Sequence, residues 1–288
     1  MDTVSIWQWF VAPLQYEFMV KALAVSALVG IVCSVLSCYM TLKGWALMGD
    51  AVSHAVMPGV VLAYILNIPF AIGAFVFGVS SVLAIGFIKS KTRIKEDTVI
   101  GLVFTGFFAF GLVLISKTPS TVDLTHILFG NVLGISNQDI IQTVIIAAIT
   151  LVTILVLRKD LLLFCFDPTH ARSIGLNTVA LYYILLSVLS LTIVAALQTV
   201  GIILVVAMLV TPGATAYLLT DKFDHMMLIA AASGVFSSVM GTYISYHIDG
   251  ATGGCIVVLQ TLIFVGTMIF APKHGLLVRA RRKQAASS

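Results

Sequence analysis

Apolar runs at about 17–41, 42–66, 69–88, 98–116, 138–157, 178–198, 201–219, 226–246 and 251–271 take up most of the chain. A run of this length spans the hydrocarbon layer as an α-helix rising about 1.5 Å per residue. In lipid every backbone N–H and C=O needs an internal partner, which leaves helices or closed barrels as spanning structures. These runs are continuously apolar rather than alternating, so they are helices. The expectation is an all-α polytopic transmembrane bundle of eight or nine spans. With 60% hydrophobic and 10% charged residues, little chain remains for a soluble catalytic domain.

Charge sets the orientation. Basic residues gather at 89–95, 158–159 and 273–283, and cytoplasmic loops are the ones enriched in Lys and Arg. Nine spans with the N-terminus outside and the C-terminus inside place all three clusters on the cytoplasmic face. An eight-span count with the N-terminus inside is the fallback. Residues 1–16, with Trp7, Trp9 and Phe10 and no basic n-region, read as an N-terminal interfacial segment rather than a cleavable signal. Residues 17–271 form the membrane domain and 272–288 a basic cytoplasmic tail. The net charge of +4 therefore belongs to loops and tail, not to a nucleic-acid surface. Cys33, Cys38, Cys165 and Cys255 are scattered, form no CxxC, and read as packing residues.

Two side chains break the apolar rule. Asp50 and His54 lie within the run 42–66, in the stretch Leu47 to Gly59. A carboxylate in a membrane helix costs about 2.5–3.5 kcal/mol on insertion scales, and such residues face a protein interior or a polar path. The i, i+4 spacing stacks the pair on one helix face. Carboxylate oxygen with imidazole nitrogen suits a divalent transition metal. From the pair alone, a helix–helix hydrogen bond explains the residues equally well. Met57 shares their face as a potential soft ligand, though packing is its ordinary role. Pro58 removes the N–H that the His54 carbonyl would accept, so a bend is expected there.

The loop 158–177 is the second informative stretch. Asp167 followed by Pro168 makes an N-cap and first helical position, and Gly175 makes a stop. A short helix of about 167–175, exposed between two spans on the cytoplasmic side, has the form of a docking element. Further on, residues 195–216 mix Gly and Ala with Gln198, Thr199, Thr211 and Thr215, suited to close helix packing. Asp249 to Gly254 reads as an external turn. His126, His170, His225, His247 and His274 sit in loops or at span ends as surface residues, with His247 near Asp249. No G-x-x-x-x-G-K-[ST] motif is present, so no nucleotide is held by that route.

Met48-Gly-Asp-Ala-Val-Ser-His-Ala-Val-Met-Pro-Gly59 resembles the Gly-Asp-x-x-Ser-His-x-x-x-Pro-Gly signature of metal-type ABC importer permeases. These are the membrane subunits of manganese, zinc and chelated-iron uptake systems. Pro13 to Ala22 resembles that family's opening segment, Asp167 to Gly175 its coupling helix, and Gln198–Gly201 with Thr211–Ala216 its later signature. The similarity covers about residues 10–277. Leu42 to Asp50, Asp249 to Gly254 and Ala271 to Leu277 are most similar to the iron/manganese branch of Gram-negative bacteria.

The resemblance implies a non-catalytic permease of the bacterial inner membrane, carrying Mn²⁺ and/or Fe²⁺, with Zn²⁺ as a further candidate, as transported substrate and holding no cofactor. It implies two permease copies around a central path, with Asp50 and His54 of each as metal ligands. It further implies that Asp167, Ala171 and Gly175 belong to a helix docked on a separate ABC ATPase subunit, and that a periplasmic metal-binding protein delivers the ion. The competing class is a proton-coupled secondary metal carrier, which also places Asp and His four apart but needs no docking helix. An intramembrane hydrolase would need a second polar cluster to complete a nucleophile–base pair, and none is visible.

Overall fold

The computed structural model describes residues 12–118 and 135–272, together with 275, 276 and 278. Residues 1–11 of the expected interfacial segment, nearly all of the basic tail, His126 and His274 lie outside the described residues, as do the side chains of Gln198 and Thr199. After a 3₁₀ turn at Ala12–Gln15, the helices are α1 (Glu17–Lys43), α2 (Ala46–Ala55), α3 (Met57–Leu66), α4 (Phe70–Lys91), α5 (Glu96–Lys117) and α6 (Asn137–Val156). Then come α7 (Arg158–Phe166), α8 (Pro168–Ser173), α9 (Thr178–Val200), α10 (Ile202–Leu219), α11 (Phe223–Ile248) and α12 (Thr252–Phe270). The all-α expectation holds.

Local chemistry sets the ends. Gly44, at φ 72°, closes α1 as only a residue free in the left-handed region does cheaply, its N–H on Thr41 and the Trp45 N–H on Met40. Ser136 caps α6, accepting the Asp139 N–H while donating to the Asp139 carboxylate. Asp167 caps α8 by accepting the N–H groups of Thr169 and His170, both at 2.9 Å.

Among the described residues eight helices are long and apolar enough to cross a membrane, counting α2 and α3 as one span. The ninth run is α10, whose described apolar part, Leu204–Leu219, is shorter. Its path is nevertheless fixed by its neighbours. Arg158 at the start of α7 pairs with Asp224 at the start of α11 at 3.1 Å, so those two ends lie together. Since α9 leaves from that end, α10 is the leg that returns to it. At the opposite end Lys21 of α1 donates to Asn137 of α6 at 3.2 Å. The nine-run count with alternating sides follows.

Helix α1 is the centre of one layer, packed along α11 and α10, with α12 closing behind them. Helices α2 to α5 form the other layer, joined to the first through α9 and through α2 against α10. The shared core between them includes Leu36, Tyr39, Met48, Leu185, Leu189 and Met208. One sequence expectation changes here. The stretch 158–166, read as loop, is helical, because Leu161, Phe164 and Cys165 fold back as a buried face beneath α1.

Candidate metal centre

The pair sits on a deliberately interrupted span. Helix α2 stops at Ala55 and α3 starts at Met57, with Pro58 in the first turn. Proline cannot donate to the His54 carbonyl, and a backbone N–H of the α2 cap closes onto that carbonyl instead. The helix is interrupted at Val56, just before the proline, and the carbonyl is not left free. The motif glycines do packing work on either side of the break. A Cβ on Gly49 would press on Leu209 of α10, and one on Gly59 would run into the backbone of Gly73 on α4. So Gly49 lets α2 lie close to α10, and Gly59 lets α3 and α4 meet backbone to backbone.

Between those glycines Asp50 and His54 share one face. His54 Nε2 stands 3.5 Å from Asp50 Oδ1, a contact too long for a tight hydrogen bond. Their side chains keep 42% and 28% exposure, so an ion reaches both without unfolding anything. The imidazole is walled by α5: Phe104 and Phe108 meet it edge-on, with ring centres at 5.4 and 5.3 Å. These two phenylalanines were not singled out in the sequence. Their signal was an i, i+4 aromatic pair within a span, which ordinary packing also produces.

The other candidates fall away from the pair. Met57 is buried against Gly111 and Pro58 rather than open to an ion. His170 and His225 are exposed at the cytoplasmic end, and His247 lies against Tyr243 and Tyr246 at the far end of α11. Among the described residues no group of three or more His, Cys, Asp or Glu gathers to hold a metal. Asp50 and His54 offer two potential donor side chains in one chain, half of what a transition metal commonly takes.

The expected short helix is present as α8, one residue shorter than the stretch 167–175 at its start and two at its end. Ala171 is buried beneath it, while His170 and Arg172 are exposed. Gly175, at φ 89°, ends it with its N–H on Arg172, and the Leu176 N–H returns to Ala171. Below it, Lys43 Nζ lies 4.2 Å from the centre of the Phe164 ring and donates to the Phe164 carbonyl. Burial pushes the Cys165 thiol up to about 12. A cavity of about 620 Å³, lined by Leu42, Leu162, Phe166, Tyr217, Phe223 and Met226 among others, opens at this cytoplasmic end, well away from the polar pair.

The residues flagged at 195–216 are a packing device. Pro212 sits inside α10, and the Ser37 hydroxyl of α1 accepts from the Gly213 N–H at 2.9 Å while donating to the Val210 carbonyl at 3.1 Å. A hydroxyl thus stitches α1 to the proline bend.

A multi-span helical bundle with a buried-side break and a reachable Asp–His pair is the build of a membrane transport protein. The comparisons give its family. Residues 15–271 match the model of the ABC 3 transport family, and the chain belongs to that family. It is a multi-pass protein of the bacterial inner membrane. It is 68% identical over 279 residues to the manganese transport system membrane protein MntB of Synechocystis sp., covering 97% of this chain and 91% of that one. It is 53% identical over 266 residues to a probable iron transport system membrane protein of Haemophilus influenzae, covering 92% and 98%. Among solved structures, PsaBC from Streptococcus pneumoniae in complex with Fab superposes with a TM-score of 0.84 at 40% identity, covering 93% of this chain and 98% of that one.

Proposed function

We propose that this chain is the permease subunit of an ATP-driven importer for divalent transition metal, Mn²⁺ and/or Fe²⁺, with Zn²⁺ as a further candidate. The observation that carries the reading is the Asp50–His54 pair, 3.5 Å apart and partly exposed within an otherwise apolar span. A mixed oxygen and nitrogen set accepts first-row divalent metals, and supply and geometry choose among them. The manganese and iron systems named for the relatives agree with that chemistry.

Two copies of the chain complete the site. Each contributes one carboxylate and one imidazole, giving four ligands around one ion. Helix α5 is suited to border that path, because it walls His54 on one side while its span is only 22% buried in the single chain. The capped helix α8, with its exposed Arg172 and His170, docks on a separate ATPase, and a periplasmic metal-binding protein delivers the ion. The chain itself then hydrolyses nothing; it converts the ATPase's motion into opening of the path.

The test is uptake of Mn, Fe and Zn in competition by cells carrying the whole system, with ATP supply and proton gradient varied separately. ATP-dependent uptake of Mn or Fe, lost in Asp50→Ala and His54→Ala at equal membrane abundance, is the expected result. Uptake that collapses with a protonophore while ATP is held constant would instead make this a proton-coupled carrier.

A further inference from the structure

A pocket of about 290 Å³ opens at the cytoplasmic ends of α4 and α9, beside α8; neither Asp50 nor His54 lines it. Its volume equals that of nearly ten waters at about 30 Å³ each, so a group much larger than a single ion fits. Three cations line it: Lys43, Lys89 and Arg172. Lys43 rests on the Phe164 ring, and the Arg172 guanidinium donates to Thr178 Oγ1 at 3.3 Å. None of the three forms an ion pair among the described residues, and the single lining carboxylate, Glu96, pairs with none of them.

The wall of the pocket is rigid and aromatic. Trp45 meets Tyr182 edge-on at 5.4 Å, and Tyr183 leans against Gly86, where a Cβ would stand 3.1 Å from its hydroxyl. The Tyr182 hydroxyl is buried and lacks a hydrogen-bond partner. Three cations against one carboxylate fit a phosphate. The position fits a lipid. Exposed Leu83 and Phe87 on α4 and exposed Val179 on α9 continue the apolar surface away from the pocket into the bilayer. Basic pockets between spans on the cytoplasmic side are where anionic headgroups collect.

We propose that this pocket holds the phosphate headgroup of an anionic phospholipid of the cytoplasmic leaflet, with Lys89 and Arg172 as its charge partners. The lipid then bridges the end of α4 to α8 and braces the docking helix against the bundle. This inference uses only the orientation of the chain and stands apart from the metal reading.

The test uses the purified full-length chain in neutral detergent, titrated with short-chain phosphatidylglycerol, phosphatidylcholine or glycerol phosphate. Retained lipid is counted by native mass spectrometry, and the thermal midpoint is followed in parallel. Phosphatidylglycerol should be retained and should raise the midpoint. The double variant Lys89→Ala, Arg172→Ala should lose about tenfold to thirtyfold in that retention. The double variant Lys91→Ala, Arg93→Ala, with the same charge change on exposed residues outside the pocket, should keep it. Retention of phosphatidylcholine equal to phosphatidylglycerol, as a protein-docking pocket would show, overturns the proposal. So do equal losses in the two double variants at matched lipid-free midpoints, and so does glycerol phosphate binding as well as the lipid.

Discussion

The seam between α1 and α11 and the break between α2 and α3 are built from similar residues to opposite ends. Along the seam, Ser26, Gly30 and Ser34 of α1 face Gly234, Ser238 and Thr242 of α11, all buried, and Thr242 donates to Ser26 at 3.3 Å. A Cβ on Gly30 would stand 2.6 Å from Ser238 Oγ, and one on Gly234 would strike Ser34 Oγ. At the break, glycines again bring backbones close, but the polar residues between them are left half-open and loosely paired. Ser238 donates to the Gly234 carbonyl of its own helix and Thr242 donates to Ser26 across the seam, so these hydroxyls tolerate closure. The carboxylate and the imidazole stay partly exposed and only loosely paired, which suits the proposed metal role. Helix contact in lipid rests on close packing, so the seam fixes the fold while the break keeps a site.

That contrast makes its own tests, beginning where the effect is largest. Asp50→Ala or His54→Ala should abolish metal uptake, a loss of about a hundredfold or more if the ligands act as a four-fold set, while the thermal midpoint of the detergent-purified chain stays within a few degrees. Gly30→Val should do the reverse. It overpacks the seam and should lower stability by about 1–3 kcal/mol, read as a fall in the thermal midpoint, leaving metal binding by the folded fraction unchanged. An equal stability loss in both would erase the distinction between the two regions.

A smaller effect is expected at the docking helix. Gly175 holds φ 89°, and a β-branched residue there strains the stop of α8 by about 1–3 kcal/mol. Gly175→Val in the assembled transporter should therefore uncouple ATP hydrolysis from uptake while metal affinity is kept; full coupling would remove α8 from the docking role. The raised Cys165 thiol gives a local reporter beside it. With the titration at about 12, the thiolate fraction at pH 8 is small, so maleimide labelling should be far slower than for a free thiol and should rise with pH. Rapid labelling at pH 8 would mean that α7 opens readily from α1. The smallest change belongs to Thr150→Val, which removes the 3.0 Å hydroxyl pair with Thr192 between α6 and α9 and should cost about 0.6 kcal/mol.

Much of this was legible in the residues. Span positions followed from apolar length, orientation from the basic clusters, and the α2–α3 bend from Pro58. The pair at Asp50 and His54 was visible because lipid makes such residues expensive. Asp167-Pro168 and Gly175 announced α8 through capping chemistry that needs no tertiary context. Other features were not readable. Residues 158–166 looked like loop because their helix is amphipathic only relative to a core that the sequence does not show. The α1–α11 seam hid because Ser and Gly at i, i+4 are common in any span, and which of them touch is decided by packing. Phe104 and Phe108 were silent for the same reason: an aromatic pair reveals its neighbour only in three dimensions.

The central claim, that each chain carries half of a metal site, is tested most directly by counting bound metal. Equilibrium binding of Mn²⁺ to the purified permease in nanodiscs, with chain concentration known, gives the stoichiometry. One ion for every two chains, lost in both Asp50→Ala and His54→Ala, is the expected result. A full ion per chain, or binding that survives both substitutions, would contradict it.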